Sequence, residues 1–176
     1  RYGGPGGWRG VKSESGGILY DWGAHLVDQA LTLVPSKVAS VFCQIQYRKW
    51  EVDIGSYVCV NLNFENGAVY RVEVGNLSMY QRPRFHVLGD AGALVKTGID
   101  PQEPYMKDGR IDDAEEDAAD HARIWTERDG AREELVIESV RGSWRGYYRN
   151  VAAALLDGVD LAVTPKQMVR LMRVYD

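Results

Sequence analysis

The sequence predicts an α+β domain, a large and mostly antiparallel open sheet with helices packed on one face, and three observations carry that expectation. Period-two runs occupy the middle of the chain, and helical periodicity marks its two ends. Asn66-Gly67 and Asp129-Gly130 each fall between two alternating segments, which is the composition of tight hairpin turns. The length agrees, since 176 residues at 45% hydrophobic and 26% charged suffice for one globular domain spanning 1–176.

Residues 1–14, RYGGPGGWRGVKSE, hold five glycines and a proline and are expected to form an irregular loop that approaches something closely. Ile18, Leu19, Trp22, Leu26, Ala30 and Leu33 then recur at helical steps, predicting a helix from about residue 17 to 33 that Pro35 stops. Alternating strands fit SKVASVFCQIQYRKW and IGSYVCVNLNFENGAVYRVEVGNLS. Val58, Val60, Leu62 and Phe64 share a core face, while Tyr57, Cys59, Asn61 and Asn63 share a mildly polar one. Further strands fit RFHVLGD and GALVKTG, and a second hairpin fits ARIWTERDGAREELVIES. Ser143 is placed to cap a helix with Trp144, Tyr147, Tyr148, Val151, Ala154 and Leu155 on its apolar stripe and Gly158 as its stop. A last helix starts near Thr164 with Pro165 at its first position.

The acidic stretch 100–120 lacks the central glycine and alternating oxygen ligands of a calcium loop, so it reads as a solvated loop or short exposed helix with self-repelling charges. With 21 basic and 25 acidic residues the net charge is -4, which steers the chain toward neither nucleic acid nor an anionic membrane. A small polar ligand or a protein partner is the expectation. No apolar run is long enough to span a membrane, and no signal-peptide layout opens the chain. Cys43 and Cys59 lie inside strand runs and read as reduced thiols, which suits a cytoplasmic protein. The chain opens at Arg1 without a methionine and closes within a helical pattern, as a piece of a longer protein would.

The segment SGGILYDWGAHLVDQAL sets Asp21, His25 and Asp28 in an otherwise apolar helix. Asp21 and His25 stand four apart, hence on one face, where an imidazole beside a carboxylate offers a general base for a hydroxyl undergoing oxidation. The same spacing also makes an ordinary helix-surface pair. A zinc site is not expected, because helical histidine ligands come four apart and the chain has His25, His86 and His121.

GGILYDWGAHLVDQ resembles the signature that opens the C-terminal domain of the Gfo/Idh/MocA family of NAD(P)-dependent oxidoreductases, which act mainly on sugars and cyclitols. The pattern D-x-G-x-H-x-x-D falls on Asp21, Gly23, His25 and Asp28, and Ser15 replaces the first of three glycines whose others are Gly16 and Gly17. The tryptophan loop WRG, the FHVLGDAGAL turn and the late helix YYRNVAAALLDG are similar to the family as well. The resemblance implies that His25 exchanges a proton with the substrate hydroxyl, that Asp21 orients or polarises in the same site, and that Trp8, Arg9 and Asp28 lie on the substrate side. Read from the residues alone, Trp8 serves equally as a hydrophobic plug and Arg9 as a surface charge.

The family's nucleotide fingerprint and catalytic lysine belong to an N-terminal Rossmann domain that this chain lacks. GGPGGWRG and GDAGAL both fail the G-x-G-x-x-G spacing. NAD or NADP is therefore expected on the full-length parent and not on this chain. The alternative is a non-catalytic binding or dimerisation module of a parent that has lost activity. The mixed face of Tyr57, Cys59, Asn61, Val69, Arg71 and Leu77 is an expected homo-oligomer surface.

Overall fold

The computed structural model describes residues 3–176. In chain order come α1 (Lys12–Ser15), α2 (Ala24–Leu33), β1 (Val38–Gln46), β2 (Tyr57–Phe64), β3 (Val69–Gly75), β4 (Phe85–Gly89) and β5 (Gly92–Lys96). Then follow α3 (Gln102–Lys107), β6 (Ala122–Arg128), β7 (Ala131–Ile137), α4 (Trp144–Asp157) and α5 (Pro165–Met172). The chain forms two compact units: the described residues up to Gln81 with Val163–Asp176, and Arg82–Ala162.

In the first unit the glycine-rich opening is more regular than the sequence predicts. Gly7–Gly10 form a 3-10 turn and α1 follows, ending where Gly16 turns left-handed at φ 69° and donates its N–H to the Lys12 carbonyl. A distant anchor explains the order, since the Lys12 N–H donates to Asp53 Oδ1 at 2.8 Å across 41 residues of sequence.

The signature helix carries a correction too. Leu19–Gly23 form a wide π-helical turn, with the Gly23 N–H reaching back five residues to the Ile18 carbonyl at 2.9 Å, and α2 starts after it. The wide turn shifts only part of the predicted stripe, since Ile18 and Ala30 stay buried and Leu19 and Leu26 pack against the core. Ile18, Gly23, Val27, Ala30 and Leu31 face inward, whereas Trp22 and Leu33 are 50% and 57% exposed. The helix ends at Leu33, ahead of Pro35.

Strands β1-β2-β3 make an antiparallel sheet in that order. Val58, Val60, Leu62 and Phe64 are buried in alternation with half-exposed Tyr57, Cys59, Asn61 and Asn63, the expected division. The buried face joins Val72, the inner face of α2 and Leu171 of α5 in one core. Burying a side chain of this size contributes about 1.5–3 kcal/mol.

In the second unit β4-β5-β6-β7 form a four-stranded antiparallel sheet. Its last hairpin turns at Asp129 and Gly130, both at positive φ. Gly92, at φ 155°, admits no side chain, because a Cβ there would lie 2.3 Å from the Trp125 carbonyl oxygen. The α+β class holds, with the strands divided between two sheets where the sequence predicts one. The connection between β3 and β4 contains Pro83, which has no N–H to donate to a ladder.

Within the acidic stretch four carboxylates are offset by cations. Glu103 meets Lys107, Asp113 meets Arg110, Asp112 meets Arg145, and Glu116 meets Lys96 at 2.7 Å. Gln102, buried, accepts from the Trp144 N–H at 3.0 Å and donates to Asp100. α4 is capped by Ser143 and stopped by Gly158 as expected. Val151 and Ala154 of its apolar stripe are half-buried, whereas Tyr148 and Leu155 lie outward, Leu155 81% exposed. Polar contacts hold this helix: Gln102 at its start, and Asn150 at its middle, which bonds the Asp160 carbonyl and the Ala162 N–H.

Candidate active site

The site is built on the junction of the wide turn with α2. Asp21 sits within the π-helical turn, its side chain 25% exposed, and accepts from Arg9 Nε at 3.1 Å. The Arg9 guanidinium lies 4.4 Å over the Trp8 ring, so loop, cation and carboxylate form one stack. Ser15 ties that stack down, donating to the Arg9 carbonyl at 3.2 Å and accepting from the Gly17 N–H at 2.9 Å. The hydroxyl at the position that departs from the three-glycine pattern is thus a strut of the loop.

His25 follows in the first turn of α2 with an exposed imidazole. Its ring meets Trp22 edge-on at 6.4 Å, and it makes no side-chain hydrogen bond among the described residues. Asp28 is half-buried almost one turn further on. The structure therefore brings Trp8, Arg9 and Asp21 together and sets His25 and Asp28 along the same helix. Asp21 has Arg9 as its partner, and not His25.

Sequence reasoning missed Ser15 and Tyr175. The Tyr175 hydroxyl donates to the Leu19 carbonyl at 3.0 Å, from 156 residues away. No local pattern foretells so distant a contact. His86 lies on β4, and His121 stands 3.9 Å from Glu116 in the second unit.

Among the described residues no cluster of three or more His, Cys, Asp or Glu is placed to hold a metal ion. Among the described residues neither glycine turn is a strand-to-helix turn. Gly7–Gly10 follow no strand, and Asp90-Ala91 join β4 to β5, so neither presents a helix N-terminus to a pyrophosphate after a strand. No helix among the described residues is long and apolar enough to cross a membrane. Chemically, the face offers one open imidazole for proton exchange and one clamped carboxylate to accept a hydroxyl hydrogen bond.

The sequence profile described as the GFO/IDH/MocA C-terminal domain matches residues 1–95. The chain is 27% identical over 174 residues to scyllo-inositol 2-dehydrogenase (NADP(+)) IolW of Bacillus subtilis, covering 96% of this chain and 48% of that protein. It is 27% identical over 172 residues to the uncharacterized oxidoreductase YdgJ of Escherichia coli, covering 96% and 49%. The structure of yvaA from Bacillus subtilis superposes with a TM-score of 0.88 at 25% identity, covering 99% of this chain and 51% of that one. An oxidoreductase from Bacillus cereus shares the fold with a TM-score of 0.84 at 21% identity, covering 99% and 53%. The chain spans about half the length of the curated relatives it matches.

Proposed function

Because this chain belongs to the GFO/IDH/MocA family, we propose that it is the C-terminal half of an NAD(P)-dependent oxidoreductase that interconverts hydroxyl and carbonyl on a sugar, cyclitol or related polyol. The name of the relative from Bacillus subtilis, an inositol dehydrogenase, supports the polyol class. The span of about half its relatives supports an N-terminal Rossmann domain as the remainder, with NAD or NADP held there. The nicotinamide supplies hydride acceptance or donation. This chain alone is then without turnover, in a cytoplasmic protein whose two cysteines stay reduced.

One observation carries the reading: Asp21 is held by Arg9 while the His25 imidazole, on the same helix, is open. His25 takes the proton from the substrate hydroxyl during oxidation and returns it in reduction. Asp21 accepts a hydrogen bond from the hydroxyl and fixes its direction, and Trp8, Arg9 and Asp28 line the substrate side.

The test is NAD(P)-linked oxidation of a polyol panel by the full-length protein. His25→Ala should lower turnover by roughly a hundredfold to ten-thousandfold with the circular dichroism unchanged. Unaltered turnover would make His25 structural. Absence of turnover across the panel in the unmodified protein would instead favour the second reading, a dimerisation module of an inactive parent. That reading draws on the outer face of the β1-β2-β3 sheet, where Cys59 and Asn61 stand beside Glu73 and Arg71. In either case the proposed partner on that face is a second copy of the chain.

A further inference from the structure

The C-terminal helix and the tyrosine after it grip the signature helix at both ends. Arg170 donates from Nη1 to the Leu31 carbonyl at 2.9 Å and from Nη2 to the Ser36 carbonyl at 3.0 Å. The first is an end-of-helix carbonyl of α2 without an intrahelical partner. Between the two grips Leu171 enters the core beneath α2. At the other end Tyr175 meets the wide turn at Leu19 and Tyr20. Its hydroxyl donates to the Leu19 carbonyl at 3.0 Å, and its ring lies 5.1 Å from that of Tyr20. The hydroxyl oxygen also comes within 3.6 Å of the position a Cβ would take on Gly23.

Asp21 and Trp22 lie between those contacts, and His25 starts two residues after them. A π-helical turn is less stable than the α-helix it interrupts and persists where its surroundings determine it. A phenol that bonds Leu19, packs near Tyr20 and leaves little room for a side chain at Gly23 is such a determinant. Burial keeps the phenol a donor, pushing its pKa up to about 12 with added contributions from Tyr20 and Cys43. The motif residues alone are compatible with an uninterrupted α-helix, in which Asp21 and His25 would stand one register away from their observed places.

We propose that Tyr175 is a positioning residue that holds the Leu19–Gly23 turn, and through it sets Asp21 against His25, an assignment of role that rests on reading their face as the site of proton transfer. A phenol acting only as core filling would alter stability and leave the two side chains where they are.

The experiment uses Tyr175→Phe, which keeps the ring and removes the donor. In nuclear magnetic resonance spectra of the chain, the Asp21 and His25 amide signals and the His25 ring signals should shift, and the Gly23 amide should exchange about tenfold faster. In the full-length protein kcat should fall about tenfold with KM within twofold, the pattern of lost orientation. A lowered melting temperature with unmoved Asp21 and His25 signals overturns the proposal, as does unchanged kcat. If the variant does not fold, native-state hydrogen exchange of the unmodified chain in urea replaces it. The Gly23 amide should then open in the same step as the Tyr175 amide, and Gly23 protection outlasting that of Tyr175 overturns the proposal. Silent resonances defeat the positioning role alone, whereas full turnover in His25→Ala defeats the reading of the site.

Discussion

Arg9 donates from Nε to Asp21 Oδ2 at 3.1 Å while its guanidinium lies 4.4 Å over the Trp8 ring. The pair is half-open to solvent, so its effect on stability is small, about 0–1 kcal/mol. Its consequence is orientation, since a planar guanidinium stacked on an indole leaves a carboxylate few directions to point. Arg9→Ala should therefore leave the melting temperature nearly unchanged and lower kcat/KM of the full-length protein about tenfold. A steady-state assay beside a thermal melt separates the two. A large fall in melting temperature would make the pair structural.

Leu62 is fully buried between the faces of α2 and the first sheet. Leu62→Ala should destabilise the first unit by about 2–5 kcal/mol, from lost transfer energy and the cavity left behind. Urea denaturation followed by tryptophan fluorescence measures it, and a loss below 1 kcal/mol, on the order of a surface substitution, would contradict the packing.

Stability should fall on acidification through Glu116. Burial raises its pKa, but hydrogen bonds from Lys96 and Ser139 and the Lys96 charge outweigh burial and hold it below the ordinary glutamate range. A folded pKa below the unfolded one gives stability that is full above the unfolded value and is lost as pH falls through the folded value. Lys96→Met should thus melt well below the parent chain at neutral pH, and the gap should narrow below about pH 4. A gap independent of pH would assign the loss to packing.

The outer face of the β1-β2-β3 sheet, with Phe42 and Val69 exposed among Asn61, Arg71 and Glu73, is neither core-like nor fully polar. Light scattering at micromolar concentration should find a dimer, and Phe42→Glu should give a monomer of unchanged circular dichroism. A monomeric parent chain would remove this face as an interface.

The hairpin turns, the Ser143 and Thr164 caps, the proline that opens α5 and the alternating core of β2 were all legible, because each is settled by neighbours within a few residues. The motif D-x-G-x-H-x-x-D was legible for the same reason. Of the apolar stripe of the signature helix, Ile18, Leu19, Leu26 and Ala30 were placed correctly and Trp22 and Leu33 were not, since periodicity assumes an unbroken α-helix and the π-helical turn inserts a residue. In α4 the spacing is that of a packed helix and Val151 and Ala154 are half-buried, but Tyr148 and Leu155 lie outward, and Gln102 at its start and Asn150 at its middle hold it.

By itself the sequence determined the class of the fold, the residue types of the proposed site and their order along one helix. The tertiary structure decided which groups meet: Asp21 with Arg9, Ser15 with the loop carbonyl, and Tyr175 with Leu19. The physical reason is the range of the forces concerned. Caps, turns and alternation are set by backbone geometry over two to four residues, whereas the register of the wide turn depends on a hydroxyl from the far end of the chain.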